Sequence, residues 1–392
     1  VIETVAEFDP PIKVDEKTVK DHFGKTHRIE QPMLSSVIDH ESYLYETQEL
    51  SDLNKKIIEA LFRQKVLTTQ QITEIFFHNT KTQKSASNSA LIALNILASD
   101  WYAYRYSPSK EDSERRGAIP HLSRTLIWFL GKASIPYIQE TYEIEQKFYP
   151  HYLNRARDVD SNNLMHDIKA NDVFVSLARR LYKEVEIESD GKKKEFERVF
   201  PEGEHWPEGR KGITTKTAGD VEINFLSDNW YGPGISLLPL GFVDVEGKER
   251  RILPDGFASL SVGYSSKGMP SSQMPFFIEY DHASKTITET AEQLYSYHSL
   301  GISGAAKKRF PQLDVDNYAI PVLMVFSGAT RMKSVLKAFQ EKVDDLGLDS
   351  GVPIFVAAEE KWKENPLADK VVISAWDKNM EAQAFIDSLI VS

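Results

Sequence analysis

Two apolar segments carry carboxylates where a buried strand rarely holds any. "ILPDGFASL" runs from Ile252 to Leu260 and contains Asp255; "FFIEYDHAS" runs from Phe276 to Ser284 and contains Glu279 and Asp281. An ionised oxygen loses its hydration in an apolar layer, so bare acids are seldom placed there without a partner. In a strand, residues two apart point to the same side, so Glu279 and Asp281 are predicted to share a face. If the two strands pair, Asp255 joins them and three carboxylates converge. Like charges that close repel unless a divalent cation offsets them. Magnesium or manganese, with oxygen ligands, is the expected occupant, and it would activate water and neutralise charge on a phosphodiester. A salt-bridged sheet edge is the alternative.

The helix expected next contains "QLYSY", with Gln293 and Tyr297 one turn apart and facing the same way. Either can hold a nucleophile or a phosphate. Further on, "YAIPVLMVFS" reads as a strand, "RMKSVLKAFQEKVDDLG" as a helix and "VPIFVAA" as a last strand. Upstream, "LMHDIKANDVFVSLARRLYKEV" (Leu164 to Val185) is amphipathic, with Val173, Leu177 and Leu181 on one face. "SDGKKKEFERV" reads as a turn into a strand, and residues 201–235 as an irregular Gly-, Pro- and Trp-rich excursion. The order helix, three strands, helix, strand, helix, strand predicts an α/β domain over residues 146–392.

Residues 51–145 follow another pattern. "LNKKIIEALFRQKVL" places Leu53, Ile57, Ile58, Leu61 and Phe62 at helical spacing. "TTQQITEIFF" follows, with Thr68 or Thr69 as N-cap, and a third helix begins near "SASNSALIALNIL", carrying Leu91, Leu94 and Leu97. "WYAYRY" and "HLSRTLIWFL" flank a polar hairpin. Three helices and a two-stranded wing predict a winged helix-turn-helix whose third helix enters the DNA major groove. Ser85, Ser87, Asn88 and Ser89 would then face bases. Lys81, Lys84, Arg105, Lys110, Arg115 and Arg116 would meet phosphate. A winged helix used for protein contacts is the other reading.

Residues 1–50 read as an acidic arm, either flexible or draped on the surface. Its opening, "VIETVAEFDPPIKVDEK", has no apolar signal-peptide core, and no run in the chain approaches a membrane span. Cysteine is absent, which removes disulfides, thiolate metal sites and cysteine nucleophiles and suits a cytoplasmic protein. The formal net charge of −11 argues against a general nucleic-acid-coating protein but leaves room for a local basic groove. No histidine forms an H-x-H pair, and "GEHWPEG" with Glu204 and His205 reads as loop. "SLGISGAAKKRF" lacks the G-K-[ST] of a phosphate loop, so nucleotide hydrolysis is not expected. Its Lys307, Lys308 and Arg309 are either a solvated face or a DNA-backbone contact.

"PDG" on one strand, an acid pair on the next and a Q-x-x-x-Y helix resemble the PD-(D/E)XK nuclease fold. More narrowly, the chain resembles the replication-relaxation family and the MobC-type conjugative relaxases. "LMHDIKANDVFVSLA", "ILPDGFASL", "FFIEYDHAS" and "IPVLMVFSGATRMKSVLKAF" carry the likeness, over about residues 53–375. The resemblance implies a relaxase that nicks one DNA strand at a plasmid transfer origin with a divalent metal, alone or beside other mobilisation proteins. Asp255, Glu279 and Asp281 match its acids. His166 stands in its H-x-x-x-x-N-D helix with Asn171 and Asp172. The common nuclease version has Lys where this chain has Asp281; a third acid there implies a second metal or a general base. The alternatives are a non-catalytic DNA-binding accessory or regulator of a mobile element, and a scaffold in a transfer complex.

Overall fold

The computed structural model describes residues 50–77, 82–106, 126–142, 161–181, 240–244, 246–262, 272–305, 320–348, 350–366 and 370–385, with short strands at 19–20, 26–27, 184–189, 193–198 and 221–227. It is mixed α/β and divides into two compact units, 1–168 and 169–392. Among the described residues no helix is long and apolar enough to cross a membrane.

In the first unit a two-residue ladder, β1 (Val19–Lys20) with β2 (Thr26–His27), lies in the acidic segment. Then come α1 (Asp52–Arg63), β3 (Val66–Thr68), α2 (Thr69–Phe76), α3 (Gln83–Ser99), β4 (Ala103–Tyr106), β5 (Ile127–Leu130) and, after a 3-10 turn, α4 (Ile135–Tyr142). Ile57, Ile58, Leu61 and Phe62 are buried as their spacing predicts, whereas Leu53 is exposed. Thr68 caps α2 in a reciprocal box: its hydroxyl accepts from the Gln71 N–H (3.1 Å) and its own N–H donates to Gln71 Oε1 (2.9 Å).

The expected first helix stops early. Lys65 takes a left-handed backbone (φ 61°), and "VLT" turns back as β3 against β5. The sheet therefore has three strands, in the order β3-β5-β4. Its core contains Val66, Tyr106, Ile127 and Phe129 with Leu164 and Ile168 of α5 (Ser161–Leu181), which is why the unit reaches residue 168. Gly131 is fixed by close approach, since a Cβ there would lie 2.1 Å from the Trp101 carbonyl oxygen.

The second unit starts within α5. The helix ends at Leu181, and Glu184–Ser189 (β6), read above partly as helix, pairs as a hairpin with β7 (Lys193–Arg198). Val221–Ser227, expected to be irregular, is a strand, β8. β9 (Leu240–Val243) and β10 (Glu249–Ile252) form a hairpin, followed by β11 (Gly256–Val262), β12 (Ser272–Asp281), α6 (Ile287–Ser303), β13 (Val322–Phe326), α7 (Ala329–Asp345), β14 (Ile354–Ala358) and α8 (Glu359–Glu364). β14 is not the last strand: β15 (Val372–Ser374) and β16 (Ala382–Gln383) follow. The sheet has seven strands, ordered β16-β15-β14-β13-β12-β11-β8. β12 is parallel to β13 and antiparallel to β11, which is antiparallel to β8.

β12 is buried on both faces. Phe277 meets Tyr297 of α6 at a ring distance of 6.0 Å, while Phe276, one residue back, meets Phe385 at 5.3 Å. Tyr280 points to the face opposite α6 and donates its hydroxyl to Glu359 of α8 (2.7 Å). Glu359 also pairs with Lys169 (2.6 Å) and Lys363 (2.7 Å), and Lys363 reaches Asp172 of α5 (2.7 Å).

Burial alone would raise the Glu359 carboxyl, but hydrogen bonds from Lys169, Lys363 and Tyr280 outweigh it and lower it to about 2. A depressed carboxylate contributes stability above its unfolded value, lost as pH falls toward the folded one. The wild type is therefore expected to lose stability between about pH 4.5 and pH 2 through this group, and Glu359→Gln to be less stable at neutral pH with a shallower acid limb. Denaturant unfolding at pH 7 and pH 3 measures both; equal losses in the two proteins would show that Glu359 does not contribute to the acid limb.

Candidate functional site

"ILPDGFASL" is not one strand. Ile252 closes β10, Pro254 interrupts the ladder and β11 begins at Gly256, so Asp255 stands at the mouth of β11. The register pairs Gly256 with Ile278, so one step further back Asp255 lies across from Glu279. Directly opposed residues of an antiparallel pair share a face, with Cβ atoms roughly 5 Å apart. The two carboxyl groups lie close enough for Asp255 to disfavour charge on Glu279. Asp255 Oδ2 also accepts the Tyr280 N–H (2.7 Å), taking the place of a ladder carbonyl.

Glu279 is buried (4% exposed) and accepts the hydroxyl of Tyr297, itself buried on α6. Burial raises the Glu279 carboxyl well above the ordinary range, and Asp255 beside it raises it further. Tyr297 and the positive charge of Lys285 pull the other way. Burial and the neighbouring Glu279 likewise push the Tyr297 hydroxyl up, so it stays a donor.

Asp281 shares the Glu279 face but not its surroundings. Two residues along a strand is about 6.6 Å, and at Asp281 the β11 partner has already broken away. Arg331, in the first turn of α7, takes its carboxylate with two guanidinium nitrogens, one of them at 3.0 Å. The same guanidinium donates to the Lys285 carbonyl (2.7 Å) and to Thr290 Oγ1 (3.1 Å). The structure thus brings two of the three acids together and ties the third to an arginine. Among the described residues, no three or more His, Asp or Glu side chains are grouped to hold a metal. Gln293, one turn before Tyr297, accepts from Lys285 Nζ (2.7 Å).

The sequence carries no local signal for Lys285 or Arg331 as members of this site. Arg331 lies 50 positions from its partner Asp281, and no local pattern marks such a pair.

In the first unit, Lys84, Ser85, Ser87 and Asn88 are exposed in the first turns of α3 and Ser89 is half-buried. Ser85, Asn88, Ser89 and Ile92 line one face at helical spacing, while Ala86, Ala90, Leu94 and Leu97 bury the other. Ser87, two positions from Ser85, points away from that line. Ile92 (62% exposed) and Ile96 (49%) extend the exposed face. Arg105 on β4 donates to Asn95 of α3 (3.3 Å). His166 lies on α5 within the first unit, partly buried, whereas the carboxylates belong to the second. Lys81, Lys110, Arg115, Arg116, Glu204, His205, Lys307, Lys308 and Arg309 lie outside the described residues.

The family profile for replication-relaxation proteins matches residues 58–313. The chain belongs to the replication-relaxation family. Membership suggests a role in the replication or transfer of mobile DNA elements. No curated protein and no solved structure matches the chain. The part this replication-relaxation protein shares with its family includes α3, Asp255, Glu279, Asp281, Lys285, Gln293 and Tyr297, and it ends before Arg331.

Two acids forced together in a buried site are a source of instability. Asp255→Asn keeps an oxygen for the Tyr280 N–H and removes the carboxylate that disfavours charge on Glu279. The variant is expected to melt above the wild type without added metal, as functional sites often trade stability for chemistry. Thermal unfolding in chelator decides this, and a fall of several degrees would make the pair a structural one.

Proposed function

We propose that this replication-relaxation protein is a metal-dependent, site- and strand-specific DNA nickase, a relaxase acting at a plasmid transfer origin. The observation that carries the reading is the Asp255–Glu279 pair, two carboxylates in register at the end of two strands with Tyr297 fixed behind them. The helix, the β8-β11-β12 meander, α6 and the parallel strand β13 are the order expected of a PD-(D/E)XK nuclease core.

The donor set fits magnesium or manganese. Both carboxylates offer hard oxygens, and burial together with Asp255 disfavours the charged form of Glu279, which a bound cation would stabilise. Magnesium is commonly held by one or two carboxylates with water and substrate phosphate completing the shell. Asp255 and Glu279 would hold the ion. When bound, it supplies neutralising charge at the phosphodiester and a more acidic water. Tyr297 keeps Glu279 in one rotamer. Asp281, neutralised by Arg331, is not needed as a ligand.

The first unit supports a winged-helix reading through its α1-β3-α2-α3-β4-β5 order and β3-β5-β4 sheet. In that reading α3 lies in the major groove. Asn88 reads a base edge and Ile92 lies against thymine methyls, while Lys84, Arg105, Arg115 and Arg116 meet phosphates. Other mobilisation proteins would act on the nicked DNA beside it.

Calorimetry and nicking test the reading together. The wild type is expected to bind Mn²⁺ and to relax supercoiled plasmid carrying the cognate origin. Asp255→Ala should lose both, and Asp281→Asn should keep the ion. Mn²⁺ binding without any nicking would favour a non-catalytic accessory; equal binding by the wild type and Asp255→Ala would sink the shared site. Separately, Asn88→Ala with Ser89→Ala should weaken binding to the cognate site by roughly 10- to 100-fold and leave binding to random DNA unchanged. Fluorescence anisotropy on both duplexes would expose a misassigned recognition helix if the two affinities moved together.

A further inference from the structure

A phosphodiester brings negative charge to a site already holding Asp255 and Glu279, and displacement at phosphorus spreads more onto the phosphoryl oxygens. One divalent cation between two carboxylates leaves that added charge without a partner. A fixed cationic side chain is the missing element.

The side chains around β12 hold several cations, and most are spent on acids. Arg331 is bound to Asp281, Lys169 and Lys363 to Glu359, and Lys342 to Glu292. Lys285 differs. Its Nζ rests on the neutral amide of Gln293 at 2.7 Å, so its charge is directed without being cancelled. Glu289 lies in the same field but commits an oxygen to the Thr286 N–H (2.7 Å) and hydroxyl (2.9 Å). The Lys285 backbone is held as well, by Arg331 at its carbonyl (2.7 Å). Gln293 stands one turn before Tyr297, whose hydroxyl touches Glu279. The ammonium is thus tethered to the helix that touches the buried carboxylate. It is itself exposed, and its charge reaches Glu279.

We infer that Lys285 is a catalytic residue of this site, its ammonium binding the scissile phosphodiester and stabilising the charge that develops on it, with Gln293 and the Asp281–Arg331 pair as positioning residues. The inference rests on the nickase reading. In the step, a water oxygen forms the new bond to phosphorus and the bond to one sugar oxygen breaks. The water proton passes to solvent, and the departing oxygen takes a proton from solvent. Lys285 keeps its own proton throughout. Asp281 then acts at one remove: its carboxylate orients Arg331, and Arg331 holds the turn that presents Lys285.

Single-turnover nicking of supercoiled plasmid carrying the cognate origin, in Mn²⁺ and at saturating protein, tests this with five proteins. Lys285→Ala is expected to be about 100-fold slower than the wild type, with Mn²⁺ affinity unchanged, and Lys285→Arg to recover about tenfold. Gln293→Ala should be about tenfold slower alone and cause no further loss when combined with Lys285→Ala. Independent, multiplicative losses would overturn the positioning role. Equal rates for Lys285→Ala and wild type, or no recovery with Lys285→Arg, would overturn the inference while the nickase reading stood. A wild type that binds Mn²⁺ and leaves the plasmid intact would overturn both.

Discussion

Asp255 and Glu279 face each other across the mouth of β11 and β12, and the layout of the second unit follows from holding them there. Repulsion between two carboxylates in a buried place must be offset by something. Tyr297 offers a hydroxyl from α6, and Lys285 offers charge from the turn that precedes it. Both depend on where α6 starts, which its own residues fix: Thr286 and Glu289 form a reciprocal capping box, and Gly304 ends the helix in a left-handed conformation. Helix placement and site electrostatics are one problem in this unit.

β12 joins the layers by alternation. Phe277, Glu279 and Asp281 address α6 and α7, while Phe276 and Tyr280 address the other face, where α8 and the later half of α5 lie. Each face ends in charge. Arg331 closes one and the Glu359 network closes the other. Buried ion pairs of this kind contribute modest net stability but are costly to break on one side only. They hold the strand end in one register, and the register is what sets Asp255 against Glu279.

Much of this was legible because it is periodic. Helices α1, α3, α5, α6 and α7 follow from apolar spacing, Thr68 from its capping chemistry, and Glu279 with Asp281 from strand alternation. What failed was non-local or brief. β3 is three residues long and its sequence reads as the end of α1, because "KVL" continues an apolar pattern that only the left-handed Lys65 breaks. β8 lies in a Gly- and Pro-rich stretch, and its alternation of Val221, Ile223 and Phe225 with Glu222 and Asn224 is cut short by the apolar Leu226. The shared face of Glu279 and Asp281 was correct, but convergence did not follow from it. Pro254 ends the pairing, and an arginine 50 residues away supplies the partner. Strand period gives direction; the distance between groups along the strand decides what they can hold together.

We propose that a divalent cation belongs between Asp255 and Glu279 and not at Asp281. Anomalous diffraction from a crystal of the full chain soaked in Mn²⁺ tests it directly. One strong peak is expected about 2.0–2.2 Å from a carboxylate oxygen of each of Asp255 and Glu279, with the Asp281–Arg331 pair intact. A peak that displaces Arg331 from Asp281, or none at Asp255 and Glu279, would contradict it.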